Sequence, residues 1–432
     1  MAAIGSTRQS PAHVEESGTG AGVINGANTG FMLLAASLVM LMTPGLAFFY
    51  GGLVGRGSTL SIMIQSFASM GITTVLWWLV GYSLCFSGGS DGIYGNFHLA
   101  FLRHVGVHSI YEPSKIPLVV LIAYQMMFAI ITPALITGAF TNRVTFKAYL
   151  IFLVVWQLAV YYPFVHMIWG GGLLEHWGVR DFAGGIVVHA SAGWAALASV
   201  LYVGKRRFYD SPHNIPFIAL GTGLLWFGWY GFNAGSELKV DDITSLAFLN
   251  TDIAASFAAT TWLFVEWWFG KKPHFVGLLT GAVAGLATIT PAAGYVPIWA
   301  SVVIGIAAGV VCYFAIQLKM KLKWDDALDV WGVHGVGGLL GIVLLGVFAG
   351  TAINPNGAQG LIHGSGTFFG KQVAAGVGCS AYAFVFTYAM LKIIDTITPV
   401  HVTAGAEGDL DESLHGESAY EFGSPGTSAA TP

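Results

Sequence analysis

Apolar runs of about 20 residues recur along the whole chain, each long enough to cross a bilayer as a helix. Clusters of polar, Gly and Pro residues separate them and predict spans near 29–53, 58–86, 116–141, 145–168, 184–204, 214–234, 250–269, 274–292, 295–318, 330–349 and 369–396. The chain therefore reads as an all-α integral membrane protein with eleven transmembrane helices, spanning residues 29–397. Ahead of them, residues 1–28 are polar and rich in Gly, Ser and Ala, without the basic start and apolar stretch of a secretory signal. A flexible N-terminal tail is expected there, and an acidic, Gly- and Ser-rich C-terminal tail over 398–432.

Composition sharpens the membrane reading. Only 9% of the 432 residues are charged and 55% are hydrophobic, where an ordinary soluble domain carries roughly 25% charge. A net charge of −4 gives no footprint for nucleic acid. Cys85, Cys312 and Cys379 fall inside apolar runs without metal-ligand spacing and are expected to be buried, unpaired thiols.

Lys and Arg in the loops set the expected orientation. With the N-terminus outside, the inner side carries 12 of the 18, among them Arg56, Arg143, Lys205, Arg206 and Lys319, and the outer side 6. That predicts an extracytoplasmic N-terminus and a cytoplasmic C-terminus in the plasma (inner) membrane. Two spans open alike, Val188-His189-Ala190-Ser191-Ala192-Gly193 and Val333-His334-Gly335-Val336-Gly337-Gly338, and an aspartate precedes each histidine by eight residues: Asp181 and Asp326. The histidines belong to spans five and ten, so two five-span halves would have opposite topology. That is a 5+5 inverted repeat around a central pore, with a final helix added, and such repeats place a site at the bilayer midplane. Gly277, Gly281 and Gly285 recur every four residues, as do Ser301, Gly305 and Gly309; these stripes suit either a subunit interface or helix packing within one subunit.

A histidine inside a membrane span is costly and marks function by default. His189 and His334 either find separate backbone partners or, if the repeat axis brings them together, share a proton through complementary tautomers. Trp169 ends the fourth span, and Phe128 and Phe232 lie in the third and sixth. An indole face at a pore mouth can hold a small cation, worth about 0.5–2 kcal/mol, while phenyl rings below it can close a narrow passage. Core filling is the plainer account of any one ring. Asp181 precedes the fifth span, where it can cap a helix N-terminus or take a direct part in transport. Asp325, Asp326 and Asp329, near Lys319, Lys321 and Lys323, read as solvated ion pairs.

Five stretches resemble one known family. They are Met42-Thr-Pro-Gly-Leu-Ala-Phe-Phe-Tyr-Gly-Gly52, Asp181-Phe-Ala-Gly-Gly-Ile-Val-Val-His189, Gly228-Trp-Tyr-Gly-Phe-Asn-Ala-Gly-Ser236, Ile289-Thr-Pro-Ala-Ala-Gly294 and Asp329-Val-Trp-Gly-Val-His-Gly335. In this order they are similar to the Amt/Mep/Rh ammonium transporters, the bacterial and archaeal Amt branch in particular. The resemblance implies an outer ammonium-recruiting site at Trp169, Ser236 and Phe128, a gate of Phe128 and Phe232, twin pore histidines His189 and His334, and a buried aspartate, Asp181, by the outer site. It also implies a homotrimer with one pore per subunit, and no cofactor or metal. A PII signalling protein is the expected partner at the cytoplasmic face, since Gly408–Tyr420 is similar to the family's regulatory tail. Asn142 stands before Arg143 where the bacterial motif has Glu, in a loop away from the pore.

Moving a bare cation of this size into low dielectric costs on the order of 20 kcal/mol before relaxation. Ammonium differs from potassium in donating hydrogen bonds and in being able to lose a proton. The expected mechanism is capture beside Trp169 and Ser236, deprotonation near the phenyl gate, and passage of ammonia past His189 and His334, with or without the proton. Competing readings are an ammonium sensor, a channel for a neutral gas such as ammonia or carbon dioxide, and a membrane enzyme with the histidines as metal ligands.

Overall fold

A computed structural model describes residues 23–420 except Ser90 and Asp210. Residues 1–22 of the tail expected over 1–28, and the twelve residues after Tyr420, lie outside the described residues.

Among the described residues, eleven principal helices order the chain: α1 Gly26–Leu53, α2 Arg56–Phe86, α3 Leu118–Phe140, α4 Phe146–Trp177, α5 Gly185–Val203, α6 Ile215–Glu237, α7 Asp242–Gly270, α8 Phe275–Ile289, α9 Ile298–Lys321, α10 Trp331–Phe348 and α11 Gly366–Ile397. Among the described residues, nine of these are long and apolar enough to cross a membrane; α7 falls outside that set and α8 is a shorter apolar helix. The protein is thus a multi-pass, helical membrane protein. Between α2 and α3 the chain forms a two-stranded antiparallel ribbon, β1 Ile110–Tyr111 and β2 Ile116–Pro117.

Polar residues just ahead of the apolar runs start the helices, their side chains taking up N–H groups that lack a partner in the first turn. Asn25 accepts from Asn28, Thr145 from Ala148, Asn214 from Phe217 and Ser365 from Phe368. The cap at Asn25 starts α1 at Gly26 rather than at Thr29. At α7 the departure is larger, since hydropathy puts the start near 250. The Asp241 carboxylate accepts from the Ile243 and Thr244 N–H groups while Thr244 bonds back to the Asp241 N–H. This reciprocal cap carries Asp242–Asn250, with the polar Asp242, Thr244, Ser245 and Asn250, into the helix.

Glycine decides the close crossings. A Cβ on Gly281 would lie 2.6 Å from Trp262 Cβ, and one on Gly285 2.5 Å from the Ala254 carbonyl. One on Gly305 or Gly309 would meet the Ala254 or Ala258 carbonyl at 2.6 and 2.8 Å. Both small-residue stripes therefore grip α7 within the subunit, which is the packing reading of the sequence pattern. Between α1 and α6 the approach is as tight, with a Cβ on Gly221 only 2.3 Å from the Phe49 nitrogen.

The described part of the C-terminal segment folds back on the bundle. The Asp411 carboxylate accepts from the Leu60 and Ser61 N–H groups at 2.9 and 2.7 Å, capping α2. The Val402 N–H donates to the Arg143 carbonyl, Glu407 pairs with Arg207, and Tyr420 meets His213. Nearby, the acidic cluster differs from the solvated pairs expected. Asp325 is buried and held by Arg206, with Arg143 at 3.6 Å. Burial would raise the Asp325 carboxyl, but hydrogen bonds from Arg206 and the charge of Arg143 hold it below the ordinary range. Asp326 is also buried and caps α10 through the Trp331 N–H at 2.7 Å. Lys319 pairs with the Asp329 carboxylate and donates to the Asp326 carbonyl at 2.7 Å.

Candidate functional site

The site grows from the openings of α5 and α10. Each begins with a wide π turn, Gly185–Ala190 and Trp331–Val336, that contains its histidine. Each turn is held by the aspartate eight residues before the histidine. Asp181 Oδ1 accepts from Gly184 and Gly185 at 2.9 and 2.7 Å, and Oδ2 from Ile186 and Val187 at 2.8 and 3.3 Å. Gly184 makes this possible with a φ of +123°, which points successive N–H groups at one carboxylate. Burial holds the Asp181 carboxyl above its ordinary range, and the four N–H groups only partly offset that rise. With four donors facing it, both oxygens serve as acceptors, the state of an ionised carboxylate.

The helices then touch backbone to backbone. A Cβ on Gly193 would stand 2.0 Å from the Gly335 nitrogen, and one on Gly338 2.7 Å from His189 Cβ. Each glycine lies four residues after its own histidine and abuts the other helix at or beside the other histidine. The contact is reciprocal, and it brings the rings together. His189 and His334 stack at 5.2 Å and 17°, with Nδ1 to Nδ1 at 3.2 Å. Two Nδ1 atoms at that distance require one to donate and the other to accept, so the rings hold complementary tautomers. His189 Nε2 is buried with no protein partner.

Two spaces meet at Phe128 and Phe232. On one side lies a vestibule of about 410 Å³, lined by Trp169, Phe128, Ser236, Asp181 and Gln125 among others. On the other is a slot of about 10 Å³, room for about one water-sized molecule. Its walls are His189, His334, Trp229 and Phe232 with Met42, Leu46, Phe49, Ile131, Leu135, Val188, Leu225 and Val283. The two phenyl rings between these spaces stand 4.3 Å apart at 35°.

At the vestibule floor the Trp169 indole N–H donates to the Asp181 carbonyl at 2.8 Å, and the indole meets Phe128 edge to face at 6.0 Å. The Ser236 hydroxyl donates to the Phe232 carbonyl at 2.8 Å, which spends its proton and leaves oxygen lone pairs to accept. Tyr124 reaches the same carbonyl at 2.9 Å and packs on Phe128 at 5.1 Å. All seven residues singled out in the sequence thus lie in one run from vestibule to slot. Trp229 was missed as a participant. It stacks on His189 at 5.4 Å and anchors its own N–H on Thr290 at 2.9 Å. Its position three residues before Phe232 on α6 was the available signal. Among the described residues, no group of three or more His, Cys, Asp or Glu side chains could hold a metal.

The profile of the Ammonium Transporter Family matches residues 30–420. An ammonium transporter of Bacillus subtilis (strain 168) is 44% identical over 398 residues, covering 91% of this chain and 98% of its own. The crystal structure of Candida albicans Mep2 superposes with a TM-score of 0.83 at 35% identity, covering 88% of this chain and 87% of that one. A solved structure described as a sensor Amt protein superposes with a TM-score of 0.80 at 28% identity, over 89% of this chain and 96% of its own.

Proposed function

Since the chain belongs to the ammonium transporter family, whose members are transporters rather than enzymes, we propose that it recruits ammonium in the vestibule, strips a proton at the phenyl gate and conducts ammonia through the histidine slot. The observation that carries this reading is the slot itself: about 10 Å³, apolar walls, and a stacked imidazole pair with one buried ring nitrogen unpartnered. A hydrated cation does not fit there, and a bare one meets too few acceptors to offset its lost hydration. Ammonia fits and can donate to that nitrogen.

Ammonium first rests against the Trp169 face, donating to Ser236, with Phe128 closing the cage. Phe128 and Phe232 then separate it from the slot. The proton either follows through His189 and His334, making transport electrogenic, or stays behind. The matched aspartate caps and reciprocal glycine contacts support an inverted 5+5 repeat in which all eleven helices cross the membrane. In this reading the vestibule faces outward and the C-terminal tail lies in the cytoplasm. Assembly as a homotrimer in the plasma membrane, and a PII protein docking on the tail face, complete the proposal.

Currents from reconstituted protein in ammonium gradients, with potassium as control, test it. An ammonium current without a potassium current supports conduction with the proton. Ammonia flux without current makes the protein a gas channel. Binding of ammonium without flux assigns a sensor. Trp169→Leu is expected to raise the KM for methylammonium roughly 2- to 30-fold, the span of a cation–π contact, with the melting temperature nearly unchanged. An unaltered KM removes the indole from the recruitment site.

A further inference from the structure

Four residues lining the vestibule have acidic or basic side chains of the carboxyl or amine type: Glu175, Asp181, Glu237 and Lys239. Two of the carboxylates are occupied by backbone. Asp181 takes four N–H groups of the α5 opening, and Glu175 Oε2 accepts from the Gly171 N–H at 2.9 Å. Glu237 is the third acid of the vestibule wall. It follows Ser236 directly in the turn Gly235–Glu237 that ends α6, its side chain only 2% exposed. Lys239 Nζ stands 3.5 Å from Glu237 Oε1 and 2.7 Å from Asp241 Oδ2, and that side chain is 38% exposed.

From this arrangement we infer that Glu237 sets the charge of the cation-capture site and that Lys239 is a tethered ammonium that competes with the incoming one. This rests on the transport reading. An indole and a hydroxyl alone leave a small cation weakly held and poorly told from potassium. A carboxylate in a low-dielectric wall, one residue from the accepting hydroxyl, adds a Coulomb attraction that a solvated surface acid does not. Whatever satisfies Glu237 as a lysine –NH3+ satisfies it as NH4+, because both are compact ammonium donors. Lys239 lies nearer to Asp241 than to Glu237, so it has a second carboxylate to hold it when a free cation takes its place beside Glu237. The Lys239 ammonium is itself kept charged, since its hydrogen bond to Asp241 and the charge of Glu237 outweigh burial and raise its pKa.

The test compares methylammonium uptake and equilibrium binding in wild type, Glu237→Gln and Lys239→Met. Glu237→Gln is expected to raise KM and Kd about five- to tenfold with kcat unchanged, the size of one charge interaction at a partly solvated site. Lys239→Met is expected to lower both constants about two- to fivefold, and high salt to shrink that difference. A purely structural role for Glu237 would shift the melting temperature and leave KM alone. KM unchanged in both variants, or a fall in kcat at constant KM, overturns the inference. Should Glu237→Gln fail to fold, Lys239→Met decides by itself, a fall in KM supporting the idea and an unchanged KM ending it. A wild type that binds methylammonium without moving it sinks the transport reading instead, and the Kd comparison still judges Glu237.

Discussion

Replacing His334 or His189 with alanine is expected to abolish selective ammonium uptake. The slot between the phenyl pair and the histidines holds about 10 Å³ and is otherwise walled mainly by aliphatic and aromatic side chains. A small donor crossing it loses its water, and in the tautomer that places the shared proton on His189 Nδ1 the buried His189 Nε2 accepts from it. Removing one such acceptor costs about 1.5–3 kcal/mol for a charged donor and about 1 kcal/mol for a neutral one. Truncation also opens a void large enough for water, which admits hydrated ions. Losing one hydrogen bond to a neutral donor is therefore expected to lower methylammonium flux relative to potassium flux roughly fivefold, and the potassium admitted with water lowers that ratio further. His189→Ala is the more severe of the two, since His189 also stacks on Trp229 at 5.4 Å and Phe232 at 6.0 Å. Because the rings act through one shared Nδ1 contact of 3.2 Å, the double variant is expected to lose little more than His189→Ala alone. Tracer uptake with a potassium-selective electrode in the same liposomes reads both quantities. Unchanged methylammonium uptake in the two single variants, with potassium still excluded, would remove the imidazoles from the pathway.

How far such a site can be read from sequence depends on the range of the forces that build it. The histidines were legible because a titratable ring inside an apolar run is costly wherever the run packs, and because the aspartate eight residues ahead marks both. Their contact also had a local trace, the glycine four residues after each. Phe128 and Phe232 are different. Nothing in α3 or α6 separates them from core phenylalanines, and their roles came from the resemblance alone. The cluster at Asp325 was misread for a related reason. Its neighbours in sequence are lysines, but its partner Arg206 is 119 residues away and sits on a loop that no periodicity places. The docking of Asp411 on Leu60 spans 351 residues and was equally invisible. Helix positions, by contrast, follow from local hydropathy and capping; the cap at Asp241 moved the start of α7, the cap at Asn25 that of α1, and α4 runs beyond the expected 168 to Trp177.

Asp181→Ala is expected to destabilise the protein outright, and the asparagine variant separates the two roles this residue could have. The carboxylate takes four N–H groups at the opening of α5, and its own carbonyl holds the Trp169 indole. Alanine leaves all four donors without their acceptor in a buried turn. At about 1–3 kcal/mol for each buried donor left unpaired, less whatever water entering from the vestibule recovers, the loss is on the order of 3–5 kcal/mol. The predicted readout is a lower melting temperature together with lost flux, because the π turn that carries His189 and the indole of Trp169 both move. Asparagine keeps one carbonyl oxygen and turns an –NH2 toward N–H groups. It is expected to lower the melting temperature partway and the flux by a matching degree. If the carboxylate instead acted directly on the cation or its proton, asparagine would fold with an unchanged melting temperature and transport nothing. Thermal unfolding and methylammonium flux measured on the same preparations distinguish the two, and an unchanged melting temperature in Asp181→Ala would remove the capping role altogether.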